Sequence, residues 1–201
     1  MAIDEGARAQ IHVIRVNPVV SMPKSLDFFG QSQSVAALAA GPFAALVDDK
    51  LSAEPKAKLS KEIEENRIDV AAMVSASFSK HSTSDAKLKV VGPDVPADAQ
   101  VDLVVNRYGF AIAHPGTSTL YPLFSVSAVM KDTKGQVVWQ GTDLMSALSS
   151  DNKVGHQLED LLKDPEIVRQ AFMAGSDLVS GMLMRNFAGL EASQSVPGIQ
   201  K

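Results

Sequence analysis

Val101-Asp102-Leu103-Val104-Val105, then Leu120-Tyr121-Pro122-Leu123-Phe124-Ser125-Val126-Ser127-Ala128-Val129-Met130-Lys131, then Asp132-Thr133-Lys134-Gly135-Gln136-Val137-Val138-Trp139 is the stretch whose reading decides the fold. In its middle segment Phe124, Val126, Ala128 and Met130 alternate with Ser125, Ser127 and Lys131, with Val129 as the exception. A period of two with one apolar side marks a half-buried antiparallel strand. Asp132 to Gly135 then has the composition of a tight hairpin turn, with Gly135 placed for the left-handed conformation. The alternation therefore predicts a meander: a strand over 101–113, a turn at 114–117, a strand over 120–131 and a strand over 136–142 that carries the only tryptophan, Trp139.

C-terminal to the meander the period changes to that of a helix. Val154, Leu158, Leu161 and Leu162 predict a short amphipathic helix. Asp164-Pro165 restarts it, Asp as cap and Pro at the first helical position. Val168, Ala171, Phe172, Gly175, Leu178, Val179 and Met182 form the apolar stripe of the helix that follows. N-terminal to the meander, 10–16 predicts a first strand that Asn17-Pro18 ends. An irregular stretch over 18–30 carries adjacent aromatics, Phe28 and Phe29. Val35 to Val47 is Ala-rich and helical in spacing, broken at Gly41-Pro42. Leu59, Ile63, Val70, Val74 and Phe78 predict one long helix from Pro55, capped by Ser52 or Glu54. Residues 88–91 predict a short strand. The order strand, helices, meander, helices reads as α+β: an antiparallel meander sheet with helices packed on it. One domain over 10–190 is expected, with a disordered arm at 1–9 and a frayed tail at 191–201.

Composition removes several functions. With 19 Lys and Arg against 23 Asp and Glu, the net charge is -4, so an electrostatic grip on nucleic acid is not expected. The chain has no cysteine, which excludes disulfides, thiol catalysis and Cys-ligated metal. No apolar run reaches the roughly 20 residues of a membrane span. Met1 to Glu5 lacks the basic start and apolar run of a signal peptide. The expectation is an export signal encoded upstream, with membrane attachment only through a lipid anchor.

Catalytic constellations are hard to assemble. His12, His81, His114 and His156 show no His-x-x-x-His spacing. His156 with Glu159 and Asp160 reads as a solvated helix face. Ser176 and Ser180 lie in a helical pattern without the glycines of a nucleophile elbow, and read as small residues that admit a neighbouring backbone. Asp48-Asp49 and Glu64-Glu65 read as solvent-facing. No catalytic residue, cofactor or metal is expected. Phe28 and Phe29 have two readings, a cap on the core or an exposed anchor for a partner. Adjacent residues of an extended segment point to opposite sides, so at most one of the two can face the core.

The meander, with its Asp-x-x-Gly-x-x-x-Trp hairpin at Asp132 to Trp139, resembles bacterial envelope lipoproteins and periplasmic domains related to the TolB amino-terminal domain and the curli-secretion protein CsgG. The resemblance implies a non-enzymatic protein of the periplasm or outer membrane that binds other proteins or self-associates. A small-molecule-binding or enzymatic domain, and a cytosolic (cytoplasmic) scaffold, are the alternative readings. Phe28 and Phe29 are the expected partner-binding residues.

Overall fold

β4 (Ala99–Ile112) and β5 (Thr119–Asp132) run antiparallel side by side, with Ala99 opposite Asp132 and Ile112 opposite Leu120. They are the centre of the fold seen in a computed structural model, which describes residues 10–29, 53–113 and 117–189. β6 (Val137–Met145) returns antiparallel along β5, so the alternation in the sequence has produced the expected meander. In the turn between β5 and β6, Gly135 takes a φ of 79°. The Asp132 side chain accepts the N–H groups of Lys134 at 2.8 Å and Gln136 at 2.9 Å.

β1 (Val13–Val16) pairs parallel with the other side of β4, and β3 (Lys89–Val90) pairs parallel outside β1. The strand order is β3-β1-β4-β5-β6, a mixed sheet. Two short strands attach to this path. β2 (Asp27–Phe29) pairs parallel with β4 at Gly109 to Ala111, and β7 (His156–Gln157) pairs with Thr119 and Leu120 of β5. Both correct the sequence reading. The segment 18–30 is not irregular throughout, because Ser21 bridges to Val104 and Asp27 to Phe29 is sheet. The short helix expected from Val154 begins only at Leu158.

The helices are α1 (Ala53–Glu65), α2 (Val70–Ser84), α3 (Leu158–Lys163) and α4 (Pro165–Ala188). The single helix expected from Pro55 through Phe78 is therefore two. Arg67 sits at φ 49°, its N–H bonds the Glu64 carbonyl at 3.1 Å, and the Ile68 N–H bonds the Ile63 carbonyl at 2.9 Å. This is a Schellman ending with Arg in the position glycine usually holds. Ile68 is buried beyond it, and Asp69 starts α2 by accepting the Ala72 N–H at 2.9 Å. Asp164 caps α4 through the Glu166 N–H, with Pro165 in the first turn, as its sequence predicts. The Ala-rich segment at 35–47, the expected cap Ser52, Asp48-Asp49, His114 and both termini lie outside the described residues.

α4 packs across β5 and β6 and against α2, covering one face of the sheet. Phe172 is the hub of that core. Its ring stacks on Phe110 at 5.0 Å and meets Phe124 edge-on at 5.7 Å and Tyr108 at 5.9 Å. Gly175, one turn on, leaves room for Phe124; a Cβ there would lie 2.7 Å from that ring. Trp139 packs from β6 against Phe187 of α4, ring to ring at 5.4 Å. The register of β4 shifts between Val105 and Arg107. Val101, Leu103 and Val105 face the helices before the shift, and Tyr108 and Phe110 after it. Each such large side chain stabilises the fold by about 1.5–3 kcal/mol through burial.

Candidate functional site

The side of the sheet away from the helices is a different surface. Across β4, β5 and β6 its register rows read Val104, Ser127, Thr142 and then Arg107, Ser125, Leu144, small or polar residues with two aliphatics among them. Leu144 is 42% exposed. β2 enters beside this surface. Phe28, opposite Phe110, points into the core and is 8% exposed. Phe29, opposite Ala111, lies on the other side, among Ala111, Ala113, Ala147 and Tyr121. The two aromatics do point to opposite sides, and only Phe29 is on the surface where a partner could reach it.

Phe29 is held in place. The guanidinium carbon of Arg107 lies 4.9 Å from its ring centroid, and Arg107 Nε donates to Asp27 Oδ2 at 2.7 Å. One cation thus ties the aromatic ring to the strand that carries it. β2 can approach β4 this closely because of Gly109, whose φ is 150° and where any Cβ would overlap the Asp27 carbonyl. Burial, and then the Asp27 charge, push the Tyr108 phenol above its ordinary pKa. Asn152 closes the far rim by donating Nδ2 to the carbonyls of Pro122 and Ser146, both at 2.9 Å. Leu148 of that loop is 49% exposed.

At the opposite end of the same surface lies a cleft of about 430 Å³ whose lining includes Arg15, Gln100, Asp102, Lys131 and the Thr133 and Gly135 turn residues. Lys131 Nζ bonds Asp102 Oδ2 at 2.8 Å, and Asn17 Nδ2 donates to Asp102 Oδ1 at 3.2 Å. The Lys131 hydrogen bond, against a smaller opposing effect of burial, holds the Asp102 carboxyl below its ordinary pKa. The sequence marks only the Asp132–Gly135 turn at the edge of this cleft, since most of the other residues come from three strands.

A third polar cluster pins α2 to α4. His81 Nδ1 lies 2.6 Å from Asp85 Oδ2 and its Nε2 lies 3.1 Å from Asp177 Oδ1, while Lys80 Nζ bonds Asp177 at 2.8 Å. The Ser84 hydroxyl and then His81 hold Asp85 below its ordinary pKa. Burial raises that of Asp177, and the hydrogen bond from Lys80 with the His81 charge outweighs it, leaving the net shift downward. Gly181 makes room for this pin: a Cβ there would come within 3.2 Å of the His81 ring.

The remaining candidates stay apart. Ser176 and Ser180 are buried in α4, the packing position read from the sequence, and their hydroxyls have no hydrogen-bond partner among the described residues. His156 sits in β7 with Nε2 shut off from solvent and without a hydrogen-bond partner among the described residues, while Glu159 and Asp160 are exposed. Glu64 and Glu65 are exposed as expected. Among the described residues no group of three His, Asp or Glu is placed to hold a metal, and no helix is long and apolar enough to cross a membrane.

No family model matches the chain, and no curated protein matches it. Solved structures it is similar to include a Xanthomonas campestris protein of the DUF330 family, at 16% identity and TM-score 0.39, covering 59% of this chain. The chain spans 63% of that protein's length. Another is the PelC dodecamer of Paraburkholderia phytofirmans, at 10% identity and TM-score 0.40, covering 88% of this chain and 86% of PelC. A third is a candidate lipoprotein of Caulobacter crescentus, at 15% identity and TM-score 0.35, covering 62% of this chain and 88% of that one.

Proposed function

We propose that this is a non-enzymatic protein of the bacterial envelope that works by binding a protein partner or a second copy of itself. The contact would be made through the Phe29 end of the sheet face turned away from α4. One observation carries the binding part: Phe29 lies on the face opposite the main core, partly buried on a small alanine cluster, and is fixed by the Asp27–Arg107 pair. A large aromatic held in one position loses little freedom on association and is the kind of residue that anchors an interface. Leu144 and Leu148, both exposed, add apolar area on the same side of the molecule. The envelope part rests on the likeness of the Asp132–Trp139 hairpin to the TolB- and CsgG-related domains.

The test separates the two adjacent phenylalanines. Sedimentation velocity and cross-linking in an envelope extract would be run on Phe29→Ser and Phe28→Ser beside the parent chain. Phe29→Ser should leave the fold intact and abolish self-association or capture of the partner. Phe28→Ser should lower thermal stability. A folded Phe29→Ser that keeps every contact of the parent sinks the proposal.

A further inference from the structure

Arg15, Gln100 and Lys131 stand side by side on β1, β4 and β5, since Arg15 pairs with Gln100 and Gln100 with Lys131. All three line the cleft of about 430 Å³. The charges around it are unequally satisfied. Asp102 is held by Lys131 and Asn17, and Asp132 by the N–H groups of its own turn. Arg15 donates from Nη2 to the Val95 carbonyl at 2.6 Å, but its Nε is cut off from solvent and has no hydrogen-bond partner among the described residues. Among the described residues no carboxylate lies within ion-pair distance of this guanidinium. A half-buried guanidinium with no carboxylate at ion-pair distance among the described residues would be stabilised by an anion entering the cleft beside it.

The geometry points to a binding site for a phosphate-bearing group, gripped by Arg15 on one side and Lys131 on the other. The two cations sit on strands separated by β4, so their backbones are about 9–10 Å apart. A carboxylate offers two oxygens in one plane, whereas a phosphate offers oxygens in several directions and can engage both side chains at once. The cleft is far larger than a phosphate and falls within the size range of small-molecule sites, so it has room for an organic remainder beside the Gln100 amide. Lys131 would exchange part of its bond to Asp102 for the ligand, which gives the site a built-in competitor.

That competitor makes the test two-sided. The full chain is titrated by calorimetry at constant ionic strength with inorganic phosphate and glycerol 3-phosphate, and by pelleting with phosphatidylglycerol vesicles. Arg15→Gln should weaken binding about tenfold or more, the equivalent of one lost charge-assisted bond. Lys131→Gln should weaken it less, and Asp102→Asn should tighten it by freeing Lys131. Saturable binding of glycerol 3-phosphate assigns a soluble ligand. Pelleting with vesicles alone that depends on Arg15 assigns a lipid headgroup. Should Arg15→Gln fail to fold, the opposite signs expected for Lys131→Gln and Asp102→Asn still decide the matter. Failure of all three probes to bind, or binding that none of the variants alters, overturns the site.

Discussion

The two faces of this sheet are made by the same strands and are held by different means. The face under α4 and α2 is a continuous aromatic and aliphatic core in which Phe172 touches three other rings. On the other face a small apolar cluster of Ala111, Ala113 and Ala147 under Phe29 and Tyr121 is joined by single tethers: Arg107 between Asp27 and Phe29, Lys131 on Asp102, Asn152 across two carbonyls. Contacts of the first kind are many and cooperative, so losing one side chain is felt throughout the fold. Contacts of the second kind are few and local, and losing one should change what the surface does more than whether the chain folds.

That difference can be broken at Phe172, where Phe172→Ala should cost about 3–5 kcal/mol in urea melts. Trp139→Ala should fall in the same range, since the side chain is 3% exposed and packed on Phe187. A loss below about 1 kcal/mol at either site would mean that the covered face is not the dominant core.

Gly109→Ala tests the hinge between the two faces. The added Cβ would overlap the Asp27 backbone, so β2 must move away from β4. The strained φ alone costs about 1–3 kcal/mol. Hydrogen exchange should show the amides of Asp27 to Phe29 losing protection while β5 and β6 keep theirs. Uniform loss across the sheet would show the two faces to be one cooperative unit.

On the tethered side the effects should be small. Arg107→Gln removes a cation–π contact worth about 0.5–1 kcal/mol, together with a partly buried ion pair worth about 1 kcal/mol or less. Its signature is a freed Phe29, seen as averaging of the ring's NMR signals. A melt lowered by more than about 2 kcal/mol would move this residue into the class of core contacts.

Smallest is the pH response of the pin between α2 and α4. Asp85 and Asp177 have folded pKa values below their ordinary ones. A depressed carboxylate contributes stability that is present above the unfolded value of about 4 and lost as pH falls through the folded value. The melting midpoint should therefore fall on acidification from pH 5 to pH 2. The double variant Asp85→Asn, Asp177→Asn should fall less steeply, and an unchanged slope would remove the pin from the account.

Much of the covered face was legible in the sequence because its signals are local. The alternation from Phe124 to Met130, the turn glycine at 135 and the Asp164-Pro165 restart each act within a few residues of where they are read. The break at Arg67 was not legible, because a left-handed Arg leaves no Gly or Pro to mark it; the burial of Ile68 decides it instead. β2 escaped notice because its pairing depends on Gly109, about eighty residues away, and a parallel strand of three residues has no alternation to show. The same distance hid the cleft. Arg15, Gln100 and Lys131 are unremarkable separately, and only the strand order brings them into one row.

The strand order also bears on how the chain reaches this structure. β4, β5 and β6 are joined by short connections, whereas β1 pairs with β4 across about eighty-five residues of intervening chain. Short loops close with less entropy lost and earlier than long ones, so the meander should assemble first and β1 and β2 dock last. Val126→Ala should then mainly slow refolding, while Ile14→Ala should mainly hasten unfolding. The reverse pattern in stopped-flow traces would place the amino-terminal strands in the nucleus.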